Sequence, residues 1–292
     1  MRLDVVNRLE DPARAVALET TLLAHGVPRG SAMPLAGRLA DAVRAGGAEP
    51  ALVGLIGGRP MVGLDDDDLR AFLEGTPAKV SLSNLTIAMH RREDAATTVS
   101  TTATIAAQAG VRVFATGGLG GVHRGYGESL DVSSDLLALS RTPIVVVASG
   151  VKAILDVPST REALETLGVP VVGWRTDRFP GFYLRDGGAG VDGRFDSIED
   201  LAAFCGAHLS TASSAVLVCN PVPAELELDA GAWASWLESA EIEASEAEGR
   251  DRTPLVLAAL HRLSGGETLR ANLGLVESNA GLAGGLAAKL PA

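Results

Sequence analysis

Residues 111–156 read VRVFATGGLGGVHRGYGESLDVSSDLLALSRTPIVVVASGVKAILD, and the fold turns on this stretch. Two β-branched apolar runs, VRVFAT and PIVVVAS, have the composition of strands buried on both faces, and each runs straight into glycine. Between them, near 133–140, lies a helical pattern. Strand, helix and strand in succession form the unit of a parallel α/β sheet. Ligands of such sheets collect at the carboxyl ends of the strands, so the ionisable residues at these joins, His123, Asp131, Asp135 and Lys152, are the first candidates for chemistry.

Working outward, GVPVVGW and SAVLVCN read as further core strands, alternating with helical patterns near 151–167 and 197–209. Towards the amino terminus, the run AVALETTLLAH reads as a strand holding Glu19, and HGVPRG reads as a loop. A helix is expected from about Pro34 to Ala45, stopped by Gly46 and Gly47. PALVGLIGGRPMVGL has the form of a hairpin turning at Gly57 and Gly58. The four aspartates Asp65 to Asp68 directly precede LRAFLEG, where acidic groups complement a helix amino terminus; a cation site is the less economical reading. AKVSLSNLTIAMHRRED is a short polar-to-apolar segment with Lys79 near its start. ATTVSTTATIAAQAG reads as a helix of small residues packed closely on a sheet. After NPVP, residues 225–252 are acidic and mainly helical, and two more helices are expected over 254–263 and 267–290. The expected architecture is a single domain over residues 1–292, an α/β/α sandwich with a mixed, largely parallel central sheet and a helical carboxyl-terminal part.

Composition limits the functional classes. The chain has 292 residues, enough to bury a large core, and is 47% hydrophobic with 34 glycines. Its formal net charge of −11 repels polyanions, no basic stripe offsets it, and aromatic residues make up only 4%, so a nucleic-acid surface is not expected. Cys205 and Cys219 have no metal-ligand spacing and read as small core residues. The segment MRLDVVNRLEDPARA lacks a long apolar core and no uncharged apolar run reaches membrane-spanning length, so a cytoplasmic protein with no membrane partner is expected.

Each candidate residue has a chemical reading beside a plainer one. A glutamate between Leu18 and Thr20 is unusual in a strand; burial raises its pKa towards that of a general acid, whereas a solvent-facing position gives it no such role. GGLGG at 117–121 is neither a dinucleotide fingerprint nor a P-loop, because the third glycine position falls at His123 and no GK[ST] follows. Its backbone amides can approach an anion, or the glycines serve only a tight turn. His123 can hydrogen-bond a reacting hydroxyl or carry a proton near neutral pH. Asp131 and Asp135, four residues apart, share a helix face if that segment is helical, and a carboxylate with waters suffices for Mg²⁺ or Mn²⁺; a helix cap at Asp131 with a surface Asp135 is the alternative. Lys152, after an apolar strand and near an expected helix start, stands where desolvation and the helix end favour the neutral, nucleophilic amine.

With these residues the sequence resembles the pseudouridine-5′-phosphate glycosidase family. The matching stretches are ALETTLLAHGVP, KVS, ATTV, VFATGGLGGVHRG, DVSSDL, RTPIVVVASGVKAILD, LGVPVVGW, NPVP and RANLGLVESNA, spread in order over nearly the whole chain. The resemblance implies reversible cleavage of the C–C glycosidic bond of pseudouridine 5′-phosphate to uracil and ribose 5-phosphate, a metal ion that is Mn²⁺ or Mg²⁺, and a homotrimer. Carried over by motif, Glu19 is the proton donor, Lys152 the imine-forming nucleophile and Asp131 the metal ligand. Lys79, Val99, Ser133, Ser134 and Asp135 are substrate-binding positions, joined by Thr116, His123 and Asn272. KVSLSNL departs from a more basic KxSRRDL-like family segment, so two arginines are absent beside Lys79. The alternatives are another Schiff-base enzyme of sugar phosphates, aldolase-like, and a non-catalytic phosphosugar-binding protein.

Overall fold

The computed structural model describes residues 2–243 and 252–291. Thirteen strands occur among them: β1 (Val6–Asn7), β2 (Ala15–Glu19), β3 (Glu49–Ile56), β4 (Arg59–Val62), β5 (Ala78–Val80), β6 (Ala95–Thr97), β7 (Val113–Ala115), β8 (Val145–Ala148), β9 (Val171–Trp174), β10 (Arg178–Gly181), β11 (Leu184–Gly190), β12 (Gly193–Phe195) and β13 (Val216–Cys219). The helices are α1 (Thr20–His25), α2 (Arg29–Ala45), α3 (Asp66–Glu74), α4 (Leu85–Arg91), α5 (Val99–Gln108), α6 (Tyr126–Ser129), α7 (Ser134–Leu139), α8 (Val157–Thr166), α9 (Ile198–Thr211), α10 (Ala230–Glu243), α11 (Arg252–Leu263) and α12 (Glu267–Lys289).

The main sheet has the order β1-β4-β3-β2-β7-β8-β13-β9-β12, with β6 attached to β3 and β5 to β6. From β3 through β12 every pairing on this path is parallel, and β4 and β6 run antiparallel to β3, which makes the sheet mixed but largely parallel as expected. Side chains alternate across it with period two. Val16, Leu18, Val113, Ala115, Val145 and Val147 enter one core with α2, α9 and α12, while Ala15, Ala17, Phe114, Val146 and Ala148 enter the other with α4, α5 and α8. Helices therefore cover both faces.

Local chemistry explains the element ends. Asp65 accepts hydrogen bonds from the Asp67 and Asp68 amides in a capping box, which accounts for the aspartate run without a cation. The Gly57-Gly58 hairpin forms between β3 and β4. Helix α2 starts at Arg29, five residues before the expected Pro34. Pro34 lies inside the helix and removes the bond to the Gly30 carbonyl, which belongs to an exposed residue of the first turn and is left to solvent. Residues 151–156 are not helical: α8 begins at Val157, capped by Asp156 accepting from Ser159 N. The hairpin β10–β11, a separate antiparallel pair, was not expected. The acidic segment 225–252 yields α10, and residues 244–251 lie outside the described residues.

Helix α12 runs against the strands. The Ala288 carbonyl accepts from Arg14 at the amino end of β2, whereas the Asn279 amide reaches the Thr116 carbonyl beyond β7. Close approach to α2 rests on small residues: a β-carbon on Gly46 would come within 2.7 Å of the Gly284 Cα. Both cysteines are free and buried, and burial pushes the Cys205 thiol up to about 12. No described helix is long and apolar enough to cross a membrane.

Candidate active site at the carboxyl edge of the sheet

Glu19 is the last residue of β2, and its parity with Ala15 and Ala17 turns its side chain to the α5 side of the sheet. Only 8% of it is exposed, and it accepts a hydrogen bond from the hydroxyl of Thr116, one residue past the neighbouring β7. Burial drives its pKa up from the ordinary 4.5; Lys152, Thr116 and Lys79 oppose that rise and Asp135 assists it. Lys79, in β5, is pushed the other way, below its usual 10.5, first by burial and then by Lys152, with Glu19 and Asp135 opposing. Four groups far apart in sequence, Glu19, Lys79, Asp135 and Lys152, thus lie within electrostatic reach of one another.

Lys152 is carried on an extension of β8 that pairs with the glycine loop. Ser149 N donates to Gly117 O at 2.9 Å, Leu119 N to Gly150 O at 3.0 Å, and Lys152 N to Leu119 O at 3.0 Å. Lys152 itself is exposed, and with α8 starting at Val157 it does not stand at a helix amino terminus, contrary to expectation. What positions it is this short ladder.

Several amides in and just after the glycine loop are bonded within the protein. Besides Leu119, Gly120 N donates to Asp135 at 2.8 Å, Val122 N to Thr160 Oγ1 at 2.9 Å, and His123 N to Asp131 O at 3.0 Å. These amides are occupied within the protein. Gly120 also serves close packing: a β-carbon there would fall 2.7 Å from Ser133 Cβ and 2.8 Å from Asp135 Oδ2.

Asp131 and Asp135 do not share a helix face, because α7 begins only at Ser134, capped by Ser133 accepting from Asp135 N. Asp131 precedes the helix with its side chain 60% exposed and its Oδ2 3.7 Å from His123 Nδ1. Asp135 is buried and accepts from Ser100 N at 2.9 Å as well as from Gly120 N, tying the glycine loop to the first turn of α5. Around that turn, Ser100 Oγ lies 3.2 Å from Ser134 Oγ and 3.0 Å from Thr98 Oγ1. Val99 opens α5 with its side chain in the core, so any part it takes in binding falls to its backbone N–H.

Asn272 lies seven residues before Asn279 on α12, two turns away on the same face and about 10 Å further along the helix, which carries it past the carboxyl edge of the sheet. It is only 8% exposed, and its Oδ1 has no hydrogen-bond partner within the protein. A buried acceptor left open in this way suits an N–H of a ligand.

Sequence reasoning missed a buried amide network behind the glycine loop. Asn279 Nδ2 donates to Thr116 O at 2.8 Å and lies 3.1 Å from Ser149 Oγ, while its Oδ1 accepts from Asn220 Nδ2 at 3.0 Å. It joins the strand ends that carry Thr116 and, three residues on from Ser149, Lys152. Ser278 and Asn279 are polar residues within α12, a helix whose buried face also carries Thr268 and Asn272, so the sequence did not single them out.

The family model for indigoidine synthase A like protein matches residues 4–289. A pseudouridine-5′-phosphate glycosidase of Symbiobacterium thermophilum is 45% identical over 286 residues, covering 95% of this chain and 92% of that relative. This chain belongs to the pseudouridine-5′-phosphate glycosidase family. A member from Salinispora tropica is 43% identical across 97% of the chain and 89% of its own length. Two solved structures have the same fold. The indigoidine synthase A-like protein of Thermotoga maritima superposes with a TM-score of 0.91 at 36% identity, covering 98% of this chain and 96% of that one. The prealnumycin C-glycosynthase AlnA, in complex with ribulose 5-phosphate, superposes with a TM-score of 0.90 at 34% identity, covering 99% and 97%.

Proposed function

We propose that this protein reversibly cleaves the C–C glycosidic bond of pseudouridine 5′-phosphate, giving uracil and ribose 5-phosphate through an imine on Lys152. The observation that carries the reading is a buried glutamate, kept protonatable by its surroundings, facing two lysines at the carboxyl edge of a sheet shared with relatives named for this activity. The C-glycosynthase among the structural neighbours, with its sugar phosphate, supports the same substrate class.

A carbon leaving group cannot be activated by simple protonation of a glycosidic oxygen, so a two-carboxylate mechanism is poorly suited. In the cleavage direction the Lys152 amine becomes bonded to C1′ as the bond from C1′ to the ring oxygen opens, and a proton of the amine passes to that oxygen. The nitrogen lone pair then forms C1′=N while the C1′–uracil bond breaks. The electron pair of that bond passes to the uracil carbon, which takes a proton from Glu19. Water hydrolyses the imine, frees the amine and ribose 5-phosphate, and restores the proton. Asn272 Oδ1 accepts from a uracil N–H. Lys79, the Val99 amide and the Ser133–Ser134 hydroxyls bind the phosphate, at a helix amino terminus with a single nearby lysine rather than arginines.

The described residues contain no group of three or more His, Cys, Asp or Glu able to enclose a cation. One exposed carboxylate fits a hard ion that keeps most of its water, so Asp131 would hold Mn²⁺ or Mg²⁺. Such an ion supplies charge neutralisation for substrate oxygens. The cytoplasm and a homotrimer complete the proposal.

The test is product identification after incubation with pseudouridine 5′-phosphate and Mn²⁺. Stoichiometric uracil and ribose 5-phosphate, lost in Lys152→Ala, support the reading. A different cleavage product points to an aldolase-like enzyme, and binding without turnover, unchanged in Lys152→Ala, to a phosphosugar-binding protein.

A further inference from the structure

The tip of the β10–β11 hairpin is built into the active-site edge. Phe182 N donates to Ser149 O at 3.0 Å, and Gly150 pairs with Gly181 in an isolated bridge. Gly150 has φ +74° and no room for a side chain, because the Pro180 carbonyl lies against it. Phe182 itself takes φ +66°, a left-handed conformation that a bulky residue holds only where its surroundings over-determine it.

Its buried ring packs on the glycine loop. A β-carbon on Gly118 would come within 2.6 Å of that ring, and one on Gly117 within 3.3 Å of it and 3.2 Å of Val276. Behind it, Tyr183 stands edge-on at 4.8 Å and meets Trp233 of α10 at 5.1 Å. A cavity of about 560 Å³ is lined by Trp233 and Leu237 together with Ala153 and Leu155, which follow Lys152 in the chain. One residue therefore grips both arms of the ladder that carries Lys152, the loop through its ring and the β8 extension through its backbone. Glycine at 182 would relieve the backbone, but only an aromatic ring fills the space over Gly118.

We infer that Phe182 is a positioning residue for the imine-forming lysine, holding residues 117–120 and 149–152 in register so that the Lys152 amine faces Glu19. The inference rests on the reading of Lys152 as the nucleophile.

Three variants test it: Phe182→Gly frees the backbone and removes the ring, Phe182→Leu keeps apolar bulk, and Phe182→Tyr keeps the ring. The readouts are the rate of borohydride-trapped adduct formation at saturating pseudouridine 5′-phosphate, KM, and hydrogen exchange of residues 117–120 and 149–152. The glycine and leucine variants should trap roughly tenfold or more slowly with KM changed by no more than about threefold, while the tyrosine variant stays within about threefold of wild type. Exchange in both segments should accelerate in the glycine variant, or in the leucine variant if the glycine variant does not fold. Wild-type trapping by Phe182→Leu, or unchanged exchange, overturns the inference. Exchange needs no chemistry, so a wild-type protein that forms no adduct counts against the Lys152 reading separately.

Discussion

The hydroxyl of Thr116 donates a hydrogen bond to the carboxylate of Glu19, and both residues are buried at the ends of adjacent parallel strands. The bond favours the ionised carboxylate and burial favours the protonated one; burial prevails. The sheet register itself thus sets how readily Glu19 gives up its proton.

Thr116→Val removes the bond and keeps the shape of the side chain. The pKa of Glu19 should then rise further, and the alkaline limb of the pH profile for uracil release should move to higher pH, as expected for losing one hydrogen bond to a charged group. An unmoved limb would detach Glu19 from the proton transfer.

Glu19→Gln should change how stability depends on pH. Because the folded-state pKa lies above the ordinary 4.5, the contribution of Glu19 is fully present below about 4.5 and lost as pH rises through the raised value. Glutamine does not titrate. The melting temperature of the variant relative to wild type should therefore climb as pH rises above 4.5. A difference that stays flat over this range contradicts the raised pKa.

Asp135→Asn tests the tie between the glycine loop and α5. The carboxylate accepts from Ser100 N on one oxygen and from Gly120 N on the other, and an amide can accept on only one side. The buried N–H left over should cost about 1–3 kcal/mol in a urea titration. A loss below about 0.5 kcal/mol would mean that water or a shifted loop replaces the bond.

Asp131→Asn should weaken Mn²⁺ binding, read by water-proton relaxation and independent of turnover, by roughly tenfold or more, with little change in stability because the side chain is exposed. Undiminished binding would place the ion elsewhere.

The sheet was legible because VRVFAT, PIVVVAS, GVPVVGW and SAVLVCN are apolar enough to be buried on both faces, and the helix content follows from their spacing. Glu19 and Lys152 stood out through their place at strand ends. The second strand of the hairpin, LRDGGAG, was hidden, since charged and glycine residues mask a strand that pairs outside the main sheet. Asp131 and Asp135 misled because their spacing suits a helix that in fact begins between them. The Asn279 network was unreadable, because a buried asparagine and an exposed one look alike until the strand carbonyls it reaches are in place.

The most direct measurement is to incubate the folded protein with pseudouridine 5′-phosphate and Mn²⁺, reduce with borohydride and map the peptides by mass. A pentose-phosphate adduct on Lys152, formed as uracil is released and absent from Lys152→Ala, is the predicted result. Uracil release with no adduct on Lys152, or an adduct on Lys79 instead, would contradict the account.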